Sequence, residues 1–100
     1  MTSNYLEEIA ARIRRAVPES RMPSGDTAEL FRIYAVLLLA RGQEVSPADV
    51  HNAWVAWMSG LDKSHEALVP YTDLAADVAA QDRPYVEAIR AVARAMPGKP

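Results

Sequence analysis

The amino-acid sequence predicts an all-α fold, a small bundle of four main helices. Three observations carry this. Helix-start signals stand at Asn4, Asp26 and Ser46, each ahead of apolar residues at helical spacing. Pro18, Gly42, Gly60 and Pro70 fall between the periodic stretches as breakers. No segment alternates apolar and polar residues over a strand length, and no internal repeat emerges.

The first helix is expected over about 5–17. Asn4 and Glu7 have the spacing of an N-cap and an acidic N3 residue. Leu6, Ile9, Ile13 and Val17 follow on one face, and Pro18 stops the pattern. Residues 18–25 are a loop by composition. Asp26 and Glu29 form a second capping box for a helix over about 27–41, with Gly42 as its C′ glycine. That helix is apolar almost all round, so it is expected at the centre of the bundle or beneath a partner. Ser46, Pro47 and Asp49 start a third helix over about 47–59, which Gly60 ends. Val50, Trp54 and Trp57 or Met58 line one of its sides. Residues 61–71 are expected to be irregular, because Pro70 disfavours helix at Val69. Thr72 or Asp73 caps a short helical turn near 73–80. Asp82 caps a last helix over about 83–96, with Val86, Ile89, Ala93 and Met96 inward and residues 97–100 as a tail.

One hundred residues predict one helical domain over 1–100. Such a chain buries roughly two-thirds of its unfolded surface, enough for a modest core. The absence of cysteine removes disulfides, thiolate metal sites and cysteine nucleophiles, and fits a reducing compartment. The net charge is −2. Residues 1–50 carry six basic and seven acidic groups, and residues 51–100 five and six. Nucleic-acid binding is not expected, because no basic excess is there to neutralise phosphates. The first residues lack the basic and apolar regions of a signal peptide. The longest apolar run, 33–40, is far below the ~20 residues of a membrane span. A cytoplasmic, non-membrane protein is expected.

His51 and Trp54 stand i, i+3 on the third helix and share a face. They read either as a pocket wall for a flat ligand or as a core tryptophan beside a histidine bonded to backbone. Two tryptophans in one turn rarely both fit so small a core, so Trp54 or Trp57 is expected at a pocket or partner contact. His51 and His65 are fourteen residues apart, without metal-ligand spacing, so neither metal nor cofactor is expected. No phosphate loop or nucleophile motif occurs, and Ser64 adjacent to His65 is not a dyad, since adjacency does not orient an imidazole on a hydroxyl. An enzyme is not expected. The stripe Arg83, Glu87, Arg90 and Arg94 reads as a solvated ion-pair ladder, or else as a guanidinium clamp for a phosphate or carboxylate, except that Arg83 belongs to the elbow; Glu8 with Arg12 reads as a surface pair.

The stretch from about Val50 to Ala93 carries His51 and Trp54, then Lys63, His65, Leu68-Val69-Pro70-Tyr71 and Leu74, then Asp82-Arg83. It resembles the second half of the RyR domain, the repeat of ryanodine receptors that also occurs in bacterial and phage proteins. About eight residues lie between the tryptophan helix and the histidine element, where that family places a hairpin-like segment, and Glu66 stands where it has proline. The resemblance implies an interaction or ligand-sensing module, with nucleotide-like ligands in bacterial versions. The chain also resembles small proteins of actinobacteria and their phages, and its Arg-rich, Lys-poor usage fits a high-GC genome.

Physically, Pro70 rigidifies the approach to the last helix, Leu68 and Val69 can pin the loop onto the second helix, and Arg83 can reach back to loop carbonyls. The expected function is a non-enzymatic protein-interaction module, bacterial or phage in origin, that contacts a protein partner or self-associates. The alternative is a small-ligand sensor for a nucleotide-like molecule. The candidate binding residues are His51, Trp54, Trp57, His65, Tyr71 and Arg83.

Overall fold

The computed structural model describes residues 4–96. Among these the chain forms α1 (Tyr5–Ala16), α2 (Ala28–Arg41), α3 (Pro47–Met58), a single turn α4 (Ala76–Ala79) and α5 (Arg83–Ala95), with no strand. The four long helices are those the sequence predicts, with ends shifted by at most a residue or so. The tail over 97–100 lies outside the described residues.

Local chemistry sets most of these ends. The Asn4 side chain accepts from the Glu7 N–H at 2.9 Å. Ser46 and Asp49 close a reciprocal capping box, 3.1 and 3.0 Å, with Pro47 in the first turn. Gly42 closes α2 at φ 59°, a conformation that glycine adopts without cost. The start of α2 differs from expectation. Thr27 takes the cap position without a side-chain cap bond, and Asp26 instead accepts from the Ala28 N–H at 3.0 Å. The buried Thr27 hydroxyl accepts from Arg14 at 3.1 Å, tying α1 to α2.

The start of α5 also differs. Residues 76–95 run helically without a break, through α4, a 3-10 turn at Ala80–Asp82 and α5. Asp82 therefore has helical backbone angles and makes no cap bond, because capping needs an extended residue. Nor does Thr72 or Asp73 cap α4; its cap position is Ala75, and Asp73 ends a separate 3-10 turn, Tyr71–Asp73.

α2 is the central element, packing on α1, α3 and α5. Leu30, Phe31, Tyr34, Ala35 and Leu38 are its buried side. They meet Ile9, Ile13 and Val17, then Val45 and Val50, then Val86, Ile89 and Val92 in one contiguous core. Each large aliphatic side chain so buried contributes roughly 1.5–3 kcal/mol. Val36 and Leu39 on the outer side of α2 are exposed. The last helix does not carry a ladder of ion pairs. Among the described residues none forms between Arg83, Glu87, Arg90 and Arg94, nor between Glu8 and Arg12. Arg90 instead donates twice to the Val45 carbonyl, at 3.0 and 2.7 Å, and holds the α2–α3 connection on α5.

Candidate ligand cleft

The 61–75 segment folds against α3 and leaves a cleft of about 740 Å³ between itself, the 20–23 segment and the α4–α5 run. Tight turns fix the segment. The His65 N–H donates to the Asp62 carbonyl and the Leu68 N–H to the His65 carbonyl, both at 3.2 Å. The Asp62 carboxylate accepts from the Ser64 N–H and hydroxyl at 3.1 and 2.8 Å. These two bonds hold Asp62 below its ordinary carboxylate range. Ser64 is thereby committed to Asp62 and makes no dyad with His65.

The segment docks on α3 through the Val69 carbonyl. His51 is buried, and its Nε2 lies 2.6 Å from the Val69 carbonyl oxygen, a bond in which the imidazole donates. Trp54 stacks on His51 with ring centroids 5.7 Å apart and 21° between planes. His65 meets Trp54 edge-on at 5.1 Å. The His65 Nδ1 accepts from the Ala67 N–H at 3.1 Å, which leaves Nε2 as the protonated nitrogen of its neutral ring. Tyr71 approaches His51 to 6.2 Å.

Three of the six residues singled out by sequence, His51, Trp54 and His65, line the cleft. Tyr71 supports it by packing on His51 without lining it. Trp57 is half-buried against the core cluster. Arg83 is a correction: one step along α5 it faces a separate shallow groove with Pro18, Arg21 and Glu87, and it makes no hydrogen bond to the loop.

Residues the sequence reading passed over complete the walls. Tyr34 from α2 and Tyr85 from α5 line the cleft, their rings 5.7 Å apart. Tyr85 donates its hydroxyl to the Arg21 carbonyl and so ties the 20–23 segment to α5. Burial raises the Tyr34 hydroxyl well above its ordinary value, with Tyr85 and Asp82 adding to the effect. Burial also raises Tyr85, Asp82 adds to that, and Arg21 opposes it. Asp82 itself lines the cleft, and its Oδ2 is sealed from solvent without a hydrogen-bond partner among the described residues. Burial pushes its carboxyl up to about 6, against the opposing pull of His51. Its sequence signal, an acid before Arg83-Pro84, was that of a helix cap, which hid it.

With this geometry in hand, comparison with known families decides the membership of the chain. Residues 4–94 match the profile of a family described as Domain of unknown function (DUF7701). The chain belongs to that family. The resemblance to the RyR domain is thereby overturned: the matched profile spans both halves of the helical fold, whereas the RyR likeness rested on a few residues between Val50 and Ala93. The Leu68-Val69-Pro70-Tyr71 elbow has a local explanation instead. Val69 supplies the carbonyl that His51 binds, and Pro70, at φ −58° and ψ 150°, starts the turn that carries Tyr71. No curated protein and no solved structure matches the chain. Among the described residues no three His, Asp or Glu side chains stand together as metal ligands, and no helix is long and apolar enough to cross a membrane.

Proposed function

We propose that this protein is a non-enzymatic binding module whose cleft receives a small molecule. One observation carries the reading: a concave site of about 740 Å³ is walled by the His51–Trp54–His65 ring array on one side and by Tyr34, Tyr85 and Asp82 on another. Small-molecule sites combine such apolar, aromatic walls with a few placed polar groups. Backbone bonds fix both imidazoles in the wall, His51 on the Val69 carbonyl and His65 on the Ala67 N–H. A thermal-shift screen of nucleosides, nucleotides and small amines tests the reading. A ligand at 100 times its Kd adds roughly 2.7 kcal/mol of stability. A shift that Trp54→Ala abolishes supports the cleft as the site; a shift that survives it contradicts the assignment.

A second reading, self-association, rests on the exposed Val36 and Leu39, one turn apart on the outer face of α2. Sedimentation equilibrium at micromolar concentration tests it. A dimer that Leu39→Ser dissociates supports it, and a strict monomer rules it out.

A further inference from the structure

We infer that the cleft selects a small organic cation, an amine or guanidine, with Asp82 as its counter-ion. The inference rests on the ligand-cleft reading above and names the chemistry that the cleft takes. Three features of the cleft converge. The first is Asp82, a partly buried residue of the cleft lining whose side chain makes no hydrogen bond among the described residues, its Oδ2 being shut off from solvent. A carboxylate without a donor gains from a cation held near it. The second is charge. Asp73, Asp82 and Glu66 line the cleft against a single guanidinium, that of Arg21. Three acids against one base favour a cation over a phosphate, with Glu66 and Asp73 at the exposed rim. The third is the wall. Trp54 is a partly exposed ring at the cleft, with Tyr34 and Tyr85 packed behind the opposite lining, and an aromatic face attracts a cation.

The groups facing Asp82 are Tyr34 from α2, His51 from α3 and Tyr85 from α5, the last balanced by Arg21; Glu66, His65 and Asp73 belong to the loop wall. Asp82 holds its proton up to about pH 6, so the counter-ion is absent in acid and present at neutral pH.

The test uses the full chain and three probes of nearly one shape: tryptamine (cation), tryptophol (neutral) and indole-3-acetate (anion), with agmatine as a ring-free cation. Binding is followed by amide chemical shifts and titration calorimetry at pH 7.5. Tryptamine is expected to bind in the cleft at least tenfold more tightly than tryptophol, and indole-3-acetate more weakly still. Asp82→Asn, checked for its fold by circular dichroism, is expected to remove that preference. In the parent, tryptamine affinity is expected to fall about tenfold from pH 7.5 to pH 5, over which its amine stays protonated. Asp82→Asn is expected to flatten that dependence; if the variant does not fold, the parent profile decides alone. Equal binding of the three indoles, tighter binding of the anion, or a parent affinity unchanged by pH overturns the cation assignment while leaving the cleft as a site. If no probe, and no nucleoside or fragment, perturbs the cleft residues, the cleft reading itself fails and the assignment with it.

Discussion

At the residue scale the two histidines and Asp82 have separable roles. His51 is 3% exposed, and removing its ring leaves the Val69 carbonyl without a donor and Trp54 without its stacking partner. His51→Ala is expected to cost about 1–3 kcal/mol in urea unfolding. His65 sits on a half-buried loop whose Ala67 N–H can turn to water, so His65→Ala is expected to cost under about 1 kcal/mol. Equal losses at both positions contradict this division. Asp82 predicts a pH effect of unusual sign. Its folded value near 6 lies above the ordinary value of 3.8, so the folded state binds the proton more tightly. That contribution is complete below about pH 3.8 and is lost as pH rises through about 6. Asp82→Asn should therefore gain stability relative to the parent between pH 4 and pH 6.5 and hold the gain above it, as melting temperatures across that range will show. A constant difference across the range contradicts the buried-carboxyl account. Sequence alone showed His51 and Trp54 as neighbours, because i, i+3 spacing fixes a shared helix face. It did not show Asp82, because cap and cleft acids look alike until the backbone at that residue is known.

At the scale of elements, the boundaries were legible wherever chemistry acts locally. The Ser46-Pro47-Asp49 box, the Asn4 cap and the Gly42 stop all follow from short-range hydrogen bonding and steric rules. What was not legible are bonds across 18 to 64 residues of chain: His51 to Val69, Arg90 to Val45, and Tyr85 to Arg21. Periodicity identifies a face but not which distant carbonyl it will meet. Arg90 illustrates the point. It reads as one rung of a solvated ladder, yet its fork satisfies the carbonyl of the fully buried Val45. Arg90→Ala is expected to destabilise by about 1–3 kcal/mol, and Arg90→Lys to recover only part of this, since an ammonium lacks the planar fork. Denaturant midpoints of the two variants check this; a neutral Arg90→Ala returns the residue to the surface ladder.

At the scale of the whole molecule, the fold is α1, α2, α3 and α5 around one buried cluster, with the 61–75 segment and α4 closing the cleft at one end. The core was readable because α2 is apolar on nearly every side and so small a chain offers one place for such a helix. The cleft was half readable. Its α3 and loop walls come from residues close in sequence, whereas Tyr34, Arg21, Asp82 and Tyr85 arrive from three other segments. The measurement that bears most directly on the cleft is an amide chemical-shift map of the labelled full chain against a small-fragment library. Perturbations are expected to gather on the cleft-lining residues of α3, the loop and the α4–α5 run, around His51, Trp54, His65, Val78, Gln81 and Tyr85. Perturbations confined to the outer face of α2 at Val36 and Leu39, or none from any fragment, contradict a ligand-binding cleft.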